Sequence, residues 1–335
     1  MAIRNNIYTM SEWRLGVLAE TTFGTPATAS IQLLNIDGDV SVSSDITQTL
    51  DVRSGVGRTL KTADASTFPR GGHLTTITAS IVLDSTTSPI LHANAFGAAA
   101  AGSPSGYALD ASYAPSGVAF GAAGSSADSL GVVLFSPVSD ETRYFAGCEL
   151  VNMEVVYDSA VEGGRGHANL TFETRFRPTF GQSAPTTAAY GSTFSYLRDF
   201  DTTRKFGIKS SEQDVVLNKV AYTISNPAAY AGFQGASGNP EVMTRGIPEA
   251  SVSAMLGMKY DANTANFWES QNAGTTMAFE ISDHATWASA TFGIKAEECI
   301  INSEVTPSQT DSGVFQEISV KCTSDGADDI FRVVI

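Results

Sequence analysis

The features that constrain this chain most are internal matches. Phe23-Gly24 is followed by ten residues and then Asn35, and Phe206-Gly207 by ten residues and then Asn218. Both steps end in two apolar residues and an Asn, then run into an alternating stretch. Thr78 to Asp84 lies over Met255 to Asp261, Ile90-Leu91 over Phe267-Trp268, Gly97 over Gly274, and Leu150 to Val155 over Ile300 to Val305. The order never reverses. The spacing between matched positions shortens most across residues 98–129, a Gly/Ala/Ser-rich stretch that the second half lacks. Self-similarity of this kind decides architecture before local propensity does. It predicts two diverged copies of one domain. We expect an arm over 1–29, a first domain over 30–178 with an inserted loop at 98–129, a linker over 179–204, and a second domain over 205–335.

Within each copy the apolar residues recur with period two. Residues 12–20, 33–42, 74–84, 130–136, 143–157 and 167–176 alternate in this way, as do 214–226, 249–260, 276–282, 290–304 and 314–323. The tail 329–335 has the pattern of a last strand. Ser85 to Pro89 supplies helix start signals, and Gly97 a stop, around the short apolar run Ile90–Phe96. Asp261 to Gly274 is its counterpart. The predicted class is mainly β: two tandem β-sandwich or barrel domains, each with one short α-helix and long loops. Such sheets have edges that must be paired or covered. Ring closure is one way to abolish them.

Charge excludes one class of function. The chain carries 35 acids against 20 bases, a formal charge of −15. A duplex-DNA reader needs the opposite balance to displace counterions from phosphates. Charged residues are only 16 % of the chain, which points to a surface largely covered by partners. The N-terminus has no apolar run of signal-peptide type, and no stretch reaches the ~18 apolar residues of a membrane span.

Nothing in the motifs points to catalysis. His73, His92, His167 and His284 are widely spaced and stand in no ligand pattern. Cys148, Cys299 and Cys322 make no even framework; Cys299 and Cys322 either face each other on neighbouring strands or are separate buried thiols. Ser54-Gly55-Val56-Gly57 lacks the Gly-Lys-Ser/Thr ending of a phosphate loop. Asp325 to Asp329 lacks the spacing of a calcium loop. Glu154 and Glu304 fall at equivalent places in the two copies, where they do not meet as a catalytic pair. We expect no enzyme, no cofactor and no metal.

Two segments stand out as contact candidates. Residues 50–72 form a long polar stretch with Arg53, Arg58, Lys61 and Arg70 against Asp51 and Asp64. It is net positive in an acidic chain, either a solvated loop or a basic arm for an acidic neighbour. Residues 98–129 carry Tyr107, Tyr113 and Phe120, which we expect to anchor a surface loop.

The run Arg14-Leu15-Gly16-Val17-Leu18-Ala19-Glu20-Thr21-Thr22-Phe23-Gly24-Thr25-Pro26-Ala27 resembles the opening of tail tube proteins, the major tail proteins of long non-contractile-tailed bacteriophages. The order of strands with one helix and a long early loop extends the resemblance over most of the chain. The resemblance implies a β-sandwich whose inner sheet joins its neighbours into a ring, with rings stacked into a tube for the genome. It implies that residues 50–72 are the stacking loop and 1–29 the arm. Inter-ring contacts would then come from Arg53, Arg58, Lys61, Phe68, Arg70, Trp13 and Arg14. The doubled domain implies a homotrimer ring with pseudo-sixfold symmetry, a homohexamer being the alternative. Tape-measure, tail-terminator and tail-tip proteins would be partners, and double-stranded DNA would pass without specific binding. Assembly would occur in the host bacterial cytoplasm, with the product in the virion. The competing expectation is a tail-tip or surface adhesin that binds carbohydrate through Tyr107, Tyr113 and Phe120. Single-copy tubes of contractile tails share the implied fold but are shorter.

Overall fold

The computed structural model describes residues 13–25, 30–48, 70–97, 99–100, 104–109, 117–119, 129–137, 141–180, 185–232, 239–257, 274–302, 306–310, 313–324, 326 and 329–335. They are mainly β. The first half contains β1 (Arg14–Ala19), β2 (Gln32–Leu33), β3 (Asn35–Gln48), β4 (Arg70–Val82), α1 (Ser88–Phe96), β5 (Ala99–Ala100), β6 (Gly106–Leu109) and β7 (Gly117–Ala119). It continues through β8 (Leu130–Ser136), β9 (Glu141–Asp158), β10 (Gly166–Thr174) and β11 (Thr179–Phe180). The second half contains β12 (Thr203–Ile208), β13 (Gln213–Asp214), β14 (Val216–Ser225), β15 (Ala228–Ala231), β16 (Val242–Arg245) and β17 (Glu249–Gly257). It ends with β18 (Met277–Ser282), β19 (Gly293–Ile301), β20 (Thr306–Thr310), β21 (Gly313–Thr323) and β22 (Phe331–Val334).

The two halves share one pairing plan. In the first, antiparallel ladders run β1–β8–β9–β10–β4–β3. In the second they run β12–β18–β19–β21–β17–β14. The small pairings β1–β2 and β12–β13 also correspond. The β4/β17 and β9/β19 sequence matches fall on strands with the same place in this plan. The Phe-Gly match does not. Phe23-Gly24 sits in the turn after β1, whereas Phe206-Gly207 lies inside β12, the counterpart of β1 itself. That similarity is one of spacing, and the repeat is carried by the pairing order. The expected second helix, 261–274, lies outside the described residues except for Gly274.

In the first half a long strand changes pairing partners along its length. The first part of β9, Glu141 to Cys148, pairs with β8. Its second part, Glu149 to Tyr157, pairs with β10. Gly147 is the pivot. Its φ is +58°, and a Cβ there would stand 2.5 Å from the Phe176 ring and 3.2 Å from Phe23; only glycine fits both limits. Glu20 locks this corner. Its carboxylate accepts from the N–H of Gly24 at 2.9 Å, the hydroxyl of Ser129 at 2.7 Å and the N–H of Gly147 at 2.7 Å. Burial raises its pKa from 4.5 to about 7, against the pull of those three donors.

Helix α1 is buried on nearly every side between the halves. Asp84 does the capping: its Oδ1 accepts from the N–H groups of Thr86 and Thr87, and its backbone oxygen from the N–H of Ser88. Asn94 Oδ1 accepts the Leu150 N–H in β9 at 2.9 Å, and His92 Nε2 meets the Tyr222 hydroxyl in β14 at 2.7 Å. Burial lowers His92 to a pKa of about 4, so the ring is neutral there. The inserted stretch also straps the halves together, which the loop expectation missed. β6 pairs with β22, and β7 pairs with β16. Tyr107 accordingly packs its ring on His92 at 5.6 Å and Phe96 at 6.2 Å; Tyr113 and Phe120 lie outside the described residues. The linker is laced to the first half through bridges at Thr187, Phe194 and Tyr196.

A buried ion pair crosses between the halves. Arg245 Nη2 donates to Glu149 Oε2 at 2.8 Å, and Asn226 Nδ2 to Glu149 Oε1 at 2.8 Å. The two charged side chains are 4 % and 0 % exposed, so either one alone would be stranded. Arg245→Met should destabilise the chain by about 3–5 kcal/mol, and replacing Glu149 by Met as well should recover most of that loss. The midpoints of urea unfolding test both. A second expectation concerns pH. Because the folded pKa of Glu20 is raised, the native state holds a proton that the unfolded state has lost between about pH 4.5 and about 7. This contribution to stability is present at low pH and disappears as pH rises through that window. The Tm of Glu20→Gln relative to the parent should therefore climb from about pH 4.5 to about pH 7, by the equivalent of about 3 kcal/mol, and level off above.

Candidate assembly surface

The plan just described joins the halves edge to edge. Residues Asn152–Asp158 of β9 pair antiparallel with Ser225–Lys219 of β14. The result is one continuous sheet, ordered β3–β4–β10–β9–β14–β17–β21–β19, with β20 extending the last edge along β21. In the pairing plan β14 is the counterpart of β3, and β9 that of β19 with β20. The joint thus unites a β9-type edge with a β3-type edge. Among the described residues, the same two edge types remain at the ends of the sheet: β3 pairs only with β4, and β20 only with β21.

The two faces of this sheet differ in chemistry. One is core: Ile77, Ala79 and Ile81 of β4, Leu170 and Phe172 of β10, Met153 and Val155 of β9, and Val252 and Ala254 of β17 are all buried. The other is partly or fully exposed and built from short polar side chains. One row across the ladders reads Ser80, Asn169, Glu154, Thr223, Ser251, Lys321, Ile300. A second reads Ser41, Thr78, Thr171, Asn152, Ser225, Glu249. Within the first, Ser80 Oγ donates to Asn169 Oδ1 at 2.7 Å and Asn169 Nδ2 to Glu154 Oε2 at 3.0 Å. The face is acidic. Lys219 stands 3.9 Å from Asp158 and Lys321 2.9 Å from Glu249. Asp45, Glu154 and Glu317 have no cation opposite them in the ladders. Salt-bridged pairs on an exposed face cancel at a distance, so the surplus is negative.

The expected inter-ring residues fall at opposite ends of β3. Trp13 and Arg14 line an open cleft of about 980 Å³ beside Asn35 to Val40, at the start of that strand. Arg143 stacks there on Trp13 at 5.3 Å and on Phe180 at 5.8 Å, with Phe180 62 % exposed. Neither Arg143 nor Phe180 was marked by sequence reasoning, because no local pattern signals a cation–π stack. Arg70 opens β4 opposite Gln48, at the far end, roughly 40 Å along a strand of this length. Arg53, Arg58, Lys61 and Phe68 lie outside the described residues. The strand itself reaches into the expected loop, since β4 begins at Arg70 rather than Leu74.

The four histidines make separate local contacts. His73 meets Thr75 Oγ1 at 2.8 Å, His167 meets Asp37 at 2.9 Å, and His284 meets Asp283 at 3.1 Å. Among the described residues no cluster of three or more His, Cys, Asp or Glu could hold a metal ion, and no helix is long and apolar enough to cross a membrane. No protein-family model matches the chain, and no curated protein matches it either.

Proposed function

We propose that the chain is the ring subunit of a phage-type tail tube, in which copies join edge to edge around a lumen and rings stack into a conduit for double-stranded DNA. The observation that carries this reading is the joint inside the chain. A β9-type edge already pairs with a β3-type edge there, and the same two edges are left at the sheet's ends. Such a contact is head-to-tail, and repeated around an axis it closes into a ring. Three chains would supply six like units, with intra- and inter-chain joints alternating. Closure would also remove the edges that otherwise invite uncontrolled aggregation.

The exposed sheet face supports the lumen assignment. It carries many short hydroxyl and amide side chains, its lysines Lys219 and Lys321 are each paired with a carboxylate, and further carboxylates are left over, so among the described residues it lacks the free cations that grip phosphates. A negative, smooth wall repels DNA and lets it slide. The Trp13–Arg143–Phe180 stack at one end of the sheet and the Arg70 end of β4 at the other fit contacts between successive rings. The tape-measure, terminator and tip proteins of such tails are the partners this reading implies, and the virion its location. Catalysis has no part in it.

Mass photometry with negative-stain electron microscopy of the purified chain tests the reading. Hollow rings with the mass of three chains are expected. A mass of six would keep the tube and discard the alternating joints; a monomer at every concentration would sink edge-to-edge closure. The lumen has its own test. Tubes carrying Glu154→Lys and Glu317→Lys should form normally and retain duplex DNA at low salt, releasing it as salt rises. Variant tubes that hold no more DNA than the parent would take this face out of the lumen.

A further inference from the structure

We propose that Cys299 and Cys322 form a latent disulfide site, a pair of thiols that an oxidising disulfide of low molecular weight converts into a cross-strand bridge between β19 and β21. The two residues stand directly opposite each other in the antiparallel ladder. The Asn302 N–H donates to the Ser319 carbonyl at 3.1 Å, which marks that rung as hydrogen-bonded. Rungs alternate, so three steps back Cys299 and Cys322 share a non-hydrogen-bonded rung. Opposed Cα atoms on such a rung lie ~4.5 Å apart, within the roughly 4.4–6.8 Å that disulfides span, and both Cβ atoms project to the same face. Opposed residues on such a rung therefore have the backbone spacing that a bridge requires.

Both cysteines are free thiols in the core. The Cys299 S–H donates to the Met277 carbonyl at 3.3 Å, and Cys322 is 4 % exposed. Cys148 differs: the residue opposite it on β8 is Leu130, and it has no cysteine to meet. The pairing is therefore selective for two of the three thiols. Burial pushes Cys322 up to about 12 and Cys299 well above its ordinary value, with the neighbouring Cys322 contributing. Thiolate is scarce at neutral pH, so exchange waits on opening of β19, the strand that continues into the open edge at β20.

The chemistry balances with one small disulfide. A thiolate from one cysteine attacks it, forming a mixed disulfide and releasing one small thiolate. The second cysteine's thiolate then attacks the protein sulfur of that mixed disulfide, forming the Cys299–Cys322 bond and expelling the other small thiolate. The two cysteine protons end on the two released thiols; the cysteines are oxidised and the reagent reduced. The pair is thus dithiol in a reducing compartment and disulfide in an oxidising one. This inference stands whether or not the chain builds a tube.

The test incubates the full-length chain to equilibrium with excess oxidised glutathione at mildly alkaline pH, with urea below the unfolding transition to permit local opening. The protein should lose the mass of two hydrogens, and Cys148 should remain a thiol. Trypsin cleaves after Lys295, Lys321 and Arg332, placing Cys299 and Cys322 on different peptides. Those peptides should be joined and should separate on reduction. The Tm should rise by roughly 5 °C or more and fall back with reductant. Cys148→Ser should leave the bridge intact, and Cys322→Ser should abolish it. Glutathione adducts without a bridge, a bridge involving Cys148, or three titratable thiols after treatment would overturn the proposal.

Discussion

Open strand edges are the constraint on which this molecule turns. A sheet leaves N–H and C=O groups unpaired along its two outermost strands, and a buried unpaired group is costly. Here one β9-type edge is satisfied by β14 within the chain, through the rungs from Asp158–Lys219 to Asn152–Ser225. That joint joins the two halves in one continuous sheet. It also makes the chain directional, because its ends carry unlike edges. In the ring proposed above, one neighbouring copy on each side would satisfy these edges without any new kind of contact.

The joint is also held by buried polar contacts around it. Glu149 lies in the strand that makes the joint, and its carboxylate is matched by Arg245 and Asn226 of the second half. Glu20 fixes the corner at Gly147 from which the pairing half of β9 departs. Helix α1 binds β9 through Asn94 and β14 through His92 and Tyr222, on either side of the joint. Each is a buried polar contact whose loss strands a partner. The relative placement of the halves is thereby held by directional bonds as well as by apolar packing.

The two sheet faces then divide the work. Period-two alternation puts Ile, Val, Leu, Met and Phe on the core face, and leaves the other mostly to Ser, Thr, Asn and charged side chains. In β4 this is visible as Thr76-Ile77-Thr78-Ala79-Ser80-Ile81, and in β17 as Ser251-Val252-Ser253-Ala254. The choice of small hydroxyls over Lys and Arg at these positions makes a wall with few protruding side chains. Short side chains also lose little rotamer freedom when ordered.

By itself the sequence determined the mainly-β class, the position of α1 and its stop at Gly97, the final strand and the twofold repetition of the strand plan, because periodicity and turn chemistry are local signals; the N-terminal capping by Asp84 fell outside the expected Ser85–Pro89 start signals. The β4/β17 and β9/β19 matches were legible for the same reason. The Phe-Gly match misled, since a fixed spacing says nothing about which strand a residue occupies. Tertiary structure alone decided the rest. That β9 changes sheets at Gly147, that residues 106–109 and 117–119 strap the second half, and that Arg245 finds Glu149 all depend on contacts between residues far apart in the chain. The joint between β9 and β14 is of this kind. Alternation tells which face of a strand is apolar, but hydrogen-bonding edges are the same backbone in every strand. Only the packed fold chooses which edges meet.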